Sequence, residues 1–203
     1  MMRPITILYE DSAADGQVKE YGPHLLVRQC VADRLGKSSW ELKTLEGIPR
    51  NGASNIVKDC RKIPPQFGRD GRLVAAVYDF DKIRHEVNKI HHDVKLAPGA
   101  CRSQIKAALG SGCAWREQLV IVLLDRNLET VLEAVCACAP TMISAELRRL
   151  AIERKQRNER DLVLKKIISP NDRAIREAVL ERVPSLGYLV DKLVAALADE
   201  PPA

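Results

Sequence analysis

Residues 73–81 read Leu73-Val74-Ala75-Ala76-Val77-Tyr78-Asp79-Phe80-Asp81, a short apolar run that ends in two acids. Residues 5–9 and 119–124 form two further apolar runs, rich in Ile, Leu and Val. Such runs are typical of strands inside a parallel sheet, where helices cover both faces. Residues 40–45 alternate between apolar and polar side chains, which predicts an edge strand with one exposed face. The four runs predict a four-stranded, mostly parallel sheet.

Helical patterns separate these runs. They cover residues 27–35, 54–60, 101–109 and 128–135, and glycines at positions 36 and 110 provide stop signals after the first and the third. An alternation of strands and helices is typical of a right-handed parallel α/β sandwich. The sequence therefore predicts an α/β fold of the Rossmann-like type, with helices on both faces of the sheet.

From about residue 140 the chain is helical throughout. Residues 141–166 are charged and favour helix, and Ser169-Pro170 provides an N-cap with proline at the first helical position. A last helix, which starts near Ser185, has an apolar face formed by Leu186, Leu189, Val190, Leu193, Val194 and Leu197. We expect an α/β domain over residues 1–140 and a helical extension over residues 141–203 that packs on it. The alternative for the apolar face is a homodimer or another protein partner.

The composition excludes several classes of protein. Of the 203 residues, 46% are hydrophobic, which suffices for a sizeable core and excludes intrinsic disorder. The net charge of +5 permits an anionic partner without requiring one. None of the six cysteines forms a Cys-x-x-Cys pair, so we expect reduced thiols in a cytoplasmic protein. No apolar run approaches the roughly 18 residues of a membrane span, and the first residues have no signal-peptide core, so no membrane association is expected.

Acidic residues follow three of the predicted strands. Glu10 follows the first strand, Asp79 and Asp81 follow the third, and Asp125 follows the last. The carboxyl ends of parallel strands lie along one edge of a sheet, where open α/β proteins place their sites. Carboxylates that converge repel one another, and a divalent cation such as Mg²⁺ or Mn²⁺ relieves this repulsion. The sequence therefore predicts a metal site at this edge.

Glu129 lies four residues after Asp125 and is a further candidate metal ligand. An acid at either position has a second interpretation. It can form a turn, cap the following helix or stabilise the first helical turn through the helix dipole, with no metal present. Both interpretations stay open for Asp125 and Glu129.

Two of these acidic segments resemble the motifs of a known family. Leu8-Tyr9-Glu10 and Val77-Tyr78-Asp79-Phe80-Asp81 are similar to the two acidic motifs of the TOPRIM domain, which occurs in topoisomerases, primases, OLD-type nucleases and small stand-alone relatives. The resemblance covers roughly residues 3–138. It implies a nuclease that cuts phosphodiester bonds in DNA or RNA with one or two Mg²⁺ or Mn²⁺ ions.

The resemblance also implies roles for individual residues. Asp79 and Asp81 would hold the metal, Glu10 would be a ligand or the general base, and Asp125 or Glu129 would help to hold a second ion. Basic side chains near the acids would position the nucleic-acid backbone. The candidates for this role are Lys82, Arg84, His85 and Arg126, followed by His91 and His92.

Two other functions remain open. The glycines that usually follow the family's motifs are missing here, as at Asp11, which favours a non-catalytic, TOPRIM-like interaction subunit of a nucleic-acid-processing or defence complex. A Mn²⁺-dependent transferase that uses Asp79 and Asp81 to hold a nucleotide diphosphate is the second alternative.

Residues 146–182 carry eleven Lys or Arg against seven Asp or Glu. This pattern is typical of a salt-bridged exposed helix, with a nucleic-acid tether as the alternative, and the 4% aromatic content argues against base stacking.

Overall fold

The computed structural model describes part of the chain, namely residues 5–10, 23–42, 45–50, 52–62, 74–79, 83, 103–104, 107–108, 119–124 and 128–198. The elements of the first part are β1 (Ile5–Glu10), α1 (Pro23–Leu35), β2 (Leu45–Arg50), α2 (Ala53–Lys62), β3 (Val74–Asp79) and β4 (Leu119–Leu124). The helical elements that follow are α3 (Leu128–Cys138), α4 (Ala145–Arg148) with a π-helical continuation (Arg149–Glu153), α5 (Arg157–Lys165), a 3₁₀ turn (Pro170–Asp172), α6 (Arg173–Arg182) and α7 (Pro184–Ala198). Only four residues of the predicted helix 101–109 belong to the described part, and these are helical.

The four described strands form one sheet in the order β2-β1-β3-β4, and every neighbouring pair is parallel. The side chains of β1 are buried up to Tyr9, and β4 is buried from Val120 to Leu124. Helix α2 packs on β1, β2 and β3. The predicted α/β fold class, with a four-stranded parallel sheet and a C-terminal helical part, is confirmed.

The predicted edge strand corresponds to β2, at one edge of the described sheet, and its predicted position at residues 40–45 is wrong. Residues 39–42 form a turn, and the strand starts at Leu45. The signal at β2 is weak because the strand contains Gly47 and Pro49, two residues that are rare inside sheets. Proline is tolerated at an edge, where one side of the backbone needs no partner, and Pro49 pairs only with Tyr9 of β1.

The chain folds into two compact units. A sheet unit comprises residues 1–19 and 44–127 together with Ala203, and a helical unit comprises residues 20–43 and 128–202. This division differs from the predicted segments 1–140 and 141–203. The difference arises because α1 packs on α5, α6 and α7, and α3 packs on α5 and α6.

The core of the helical unit includes the apolar face of α7 that the sequence indicated. Leu186, Leu189, Val190, Leu193 and Leu197 are buried, Val194 is partly exposed, and α7 packs against α1 and α6. The face is therefore covered within the chain, and no second copy or protein partner is needed to bury it.

Candidate metal-binding edge of the sheet

The carboxyl ends of the strands place charged residues next to one another. The strands end, in spatial order, at Arg50 of β2, Glu10 of β1, Asp79 of β3 and Leu124 of β4. The register makes Glu10 level with Arg50 on one side. On the other side Tyr9 is level with Val77, so Asp79 lies one register position beyond Glu10. Neighbouring strands are about 4.8 Å apart, so the backbones of the two acidic residues are close.

Glu10 is partly buried at this edge. Its Oε2 atom is inaccessible to solvent, whereas the residue as a whole has intermediate exposure. The preceding residue, Tyr9, is 2% exposed and anchors the end of β1 in the core. For Asp79 the structure describes the backbone position.

Arg50 and Asp59 form an ion pair beside Glu10 that the sequence did not indicate. The Nη2 atom of Arg50 donates to Oδ1 of Asp59 at 2.9 Å, and Nε lies 2.5 Å from Oδ2. Gly52, with a φ of +88°, turns the chain from β2 into α2 and so brings Asp59 back to the strand end. The signal that could have indicated this turn was the pair Gly52-Ala53 at a strand-to-helix junction, because a non-glycine residue rarely adopts a positive φ.

Burial has the largest effect on the pKa of Asp59 in this ion pair. Loss of solvent raises the pKa of Asp59 above its ordinary value, although the charge and hydrogen bond of Arg50 act in the opposite direction. The guanidinium also adds positive charge beside the strand ends Glu10 and Asp79. Such a group suits a phosphate, since guanidinium binds phosphate oxygens through two parallel hydrogen bonds.

Glu129 belongs to the helical unit, in the first turn of α3. Its Oε1 atom accepts a hydrogen bond from Arg160 Nη2 at 2.6 Å and lies 3.2 Å from Lys155 Nζ. Burial alone would raise the pKa of Glu129, but its backbone amide, Arg160 and Lys155 outweigh burial and lower the pKa. Two cations thus already balance the charge of this carboxylate, a pairing that the sequence did not indicate.

The remaining predicted site residues lie outside the described part of the chain. These are Asp81, Lys82, Arg84, His85, His91, His92, Asp125 and Arg126. Their roles stay predictions. Within the residues that are described, no group of three His, Cys, Asp or Glu side chains is arranged to hold a metal ion.

Comparisons of the chain with protein-family models, with curated proteins and with solved structures give no match. None of the helices in the described ranges combines the length and the apolarity needed to cross a membrane.

Proposed function

We propose that the protein is a Mg²⁺- or Mn²⁺-dependent phosphodiesterase that cleaves DNA or RNA at the carboxyl edge of its parallel sheet. One observation carries the proposal. Glu10 and Asp79 are the last residues of two neighbouring parallel strands, although 69 positions separate them in sequence. They are one register position apart and side chains alternate between the two faces of a sheet, so their carboxylates would reach an ion beyond the strand ends from opposite faces. Two acids at this point of an open α/β sheet lie where such folds place their sites. The resemblance of the same two segments to the TOPRIM motifs supports this function.

The donor chemistry of this edge fits a hard divalent cation. Carboxylate oxygens are the ligands that Mg²⁺ prefers, and the partial burial of Glu10 keeps one of its oxygens away from bulk water. Glu10, Asp79 and Asp81 would hold the ion, with Asp125 as a further ligand. When bound, the ion supplies charge neutralisation at the phosphate and an activated water. Glu129 is left out because Arg160 and Lys155 already engage it.

Residues of the chain would accept the proton, orient the phosphate and contact the nucleic-acid backbone. With one carboxylate oxygen on the ion, Glu10 would accept the proton of the attacking water through the other. Arg50, level with Glu10 on β2, would orient a phosphate by exchanging part of its contact with Asp59 for the substrate. Lys82, Arg84, His85 and Arg126 are the sequence-predicted contacts to the nucleic-acid backbone.

The test is cleavage of labelled single-stranded and double-stranded DNA and RNA in the presence of Mg²⁺ or Mn²⁺. Asp79→Asn and Asp81→Asn should lower the rate by at least about a hundredfold, because each removes a charge that the transition state needs. Glu129→Gln is the matched control, since it neutralises an acid that lies outside the proposed site, and it should retain the rate.

Two other outcomes of this cleavage assay would count against the proposed nuclease. Equal cleavage by wild type and Asp79→Asn would show that the activity comes from a contaminant and would refute the proposal. No cleavage of any substrate by the folded protein with either metal would favour the non-catalytic interaction subunit. The free thiols Cys30, Cys136 and Cys138 are compatible with the reducing conditions of the cytoplasm, where we place this activity.

A further inference from the structure

Arg50 and Glu10 lie side by side at the carboxyl edge of the sheet. They are level with each other in the pairing of β1 with β2. Side chains alternate between the two faces along each strand, so two residues that are level in a parallel pair project from the same face. The guanidinium of Arg50 therefore starts from a backbone position next to that of the acid in the proposed site, and on the same side of the sheet.

Asp59 of α2 holds the guanidinium of Arg50 by one of its edges. The Nη2 atom donates to Oδ1 at 2.9 Å, and Nε lies 2.5 Å from Oδ2. A guanidinium carries five N–H donors in a planar fork, and this contact uses the edge formed by Nε and Nη2. The side chains of Arg50 and Asp59 are 39% and 28% exposed, so a ligand can reach the pair from solvent.

The pair is only weakly stabilised. Burial raises the pKa of Asp59 above its ordinary value, although the charge and the hydrogen bond of Arg50 lower it. The ionised carboxylate thus loses more from its reduced hydration than it gains from the guanidinium. Ion pairs between partly exposed side chains also contribute little to the stability of a fold. Opening this contact would therefore cost the sheet unit little.

A phosphate and a carboxylate bind a guanidinium in the same way. Each accepts two parallel hydrogen bonds from one edge of the fork. Arg50 cannot offer the edge formed by Nε and Nη2 to both at once. A phosphate on the other edge of the guanidinium would lie close to the carboxylate of Asp59, and the two negative charges would repel each other. Asp59 therefore opposes a phosphate at Arg50 in either position.

We propose that Asp59 is an intramolecular competitor for Arg50, so that a nucleic-acid phosphate binds Arg50 only by opening the Arg50–Asp59 pair. The contact is autoinhibitory, because it lowers the affinity of the edge for every phosphate that reaches it, including that of a product. Asp59 acts through Arg50 and is a positioning residue. A purely structural role of Asp59 would not make binding tighter when its charge is removed.

This inference rests on the proposed function, since it takes a nucleic-acid phosphate as the ligand of this edge. Its test measures binding without a metal ion, so the two proposals can fail separately. Tighter binding by Asp59→Asn in EDTA, with no cleavage by any variant in Mg²⁺ or Mn²⁺, would support the competition and refute the nuclease. Cleavage that Asp79→Asn removes, with a Kd that Asp59→Asn leaves unchanged, would do the reverse.

The experiment measures the Kd of a labelled twelve-nucleotide single-stranded DNA by fluorescence anisotropy in EDTA. Asp59→Asn should lower the Kd about tenfold, because it frees Arg50 for a charge-assisted contact with a phosphate. Glu46→Gln is the matched control. It removes one negative charge from an exposed position of β2, four residues before Arg50. That position is about 13 Å from Arg50 along the strand, which exceeds the Debye length at physiological salt, so the Kd should change by less than about twofold.

A double variant tests whether Asp59 acts through Arg50. Asp59→Asn should leave the Kd unchanged in an Arg50→Gln chain, because the group for which Asp59 competes is gone. Arg50→Gln should raise the Kd about tenfold in the Asp59→Asn chain and by less in the wild type, where Asp59 occupies the guanidinium. Lys58→Gln removes an exposed positive charge next to Asp59 and controls for charge alone. It should have the same small effect with and without Asp59→Asn.

Three results would overturn the inference. The first is a Kd that Asp59→Asn leaves unchanged while circular dichroism shows the variant folded. The second is an equal decrease of the Kd in Glu46→Gln, which would show that net charge is the cause. The third is a decrease that persists when Asp59→Asn is combined with Arg50→Gln, which would show that Asp59 does not act through Arg50.

Discussion

Arg176 and Asp33 form a bidentate ion pair inside the helical unit, across 143 positions of sequence. Nε of Arg176 lies 2.6 Å from Oδ2 of Asp33, and Nη2 lies 3.0 Å from Oδ1. The side chains are 1% and 8% exposed. The Nη1 group donates to the carbonyls of Ile167 and Ser169, both at 2.6 Å. One guanidinium therefore joins α1, α6 and the segment that links α5 to the 3₁₀ turn.

We expect Arg176→Met to lower the free energy of unfolding by about 3–5 kcal/mol, because it leaves the carboxylate of Asp33 buried without its cation. Equilibrium urea unfolding measures the loss. The control is Arg173→Met in the same helix, where the side chain is exposed and the expected change is below about 1 kcal/mol. A double variant, Asp33→Leu with Arg176→Met, should recover most of the stability. Similar losses of unfolding free energy in Arg176→Met and Arg173→Met would contradict the role of the buried pair.

The thiol of Cys30 should be unreactive in the folded protein. Burial raises its pKa to about 12, Arg176 opposes this shift, and Asp33 adds to it. At pH 8 roughly one thiol in 10⁴ is then ionised, against roughly one in ten for an ordinary thiol, and only the thiolate reacts. Alkylation by iodoacetamide, followed by mass spectrometry of the peptides, should label Cys30 after unfolding in urea and spare it before. The partly exposed Cys138 is the internal control, and equal native labelling of both would refute the prediction.

The same shift predicts a loss of stability in alkali. The folded pKa of Cys30 lies above that of the unfolded chain, so its contribution to stability is complete below about pH 9 and is lost as the pH rises toward about 12. Cys30→Ala should flatten this part of the stability curve. The measurement is urea unfolding between pH 8 and pH 11, and parallel curves for variant and wild type would count against the assignment.

Glu129 should stabilise the helical unit above its titration range. Because Arg160 and Lys155 help to lower its pKa below the ordinary value, the contribution is present above about pH 4.5 and is lost as the pH falls through the lower, folded value. Glu129→Gln should cost about 1–3 kcal/mol at pH 7 and less at pH 3, measured by urea unfolding. The exposed Glu181→Gln should change neither value. A cost that does not depend on pH would show that charge is not the cause.

Mg²⁺ should raise the melting temperature if the sheet edge binds it. At a hundred times its Kd a ligand stabilises the folded state by about 2.7 kcal/mol. Glu10→Gln and Asp79→Asn should abolish the increase, whereas Glu129→Gln should retain it because two cations already hold that carboxylate. Scanning calorimetry with and without the ion measures the effect. An increase that survives in Asp79→Asn would place the ion elsewhere.

Much of the fold was predictable because its signals are local. Strands β1, β3 and β4 appear as apolar runs, and α1, α2, α3 and α7 appear as helical patterns, the first of them with a stop signal at Gly36. The spacing of apolar residues acts within one or two turns, so it is visible without the rest of the chain. Strand β2 was misplaced because its Gly47 and Pro49 hide a strand that only pairing with β1 stabilises.

The candidate site was predictable in part. The positions of Glu10 and Asp79 after apolar runs indicated strand ends, and parallel topology then put both at one edge. The partners of Glu129 and of Arg50 were not visible, since they come from a different element in each case. The position of Trp40 was not predictable either. The sequence pattern assigned it to a strand, whereas it lies exposed in a turn.

The sequence by itself determined the α/β class, the acids at the strand ends and the apolar face of α7, because periodicity and strand-end position are properties of neighbouring residues. The tertiary structure alone decided that α1 packs with the C-terminal helices, that Arg176 neutralises Asp33, and that Trp40 shares a cavity with Lys165. These relationships join residues more than a hundred positions apart. No local pattern encodes them, because burial and charge pairing depend on which surfaces meet when the whole chain folds.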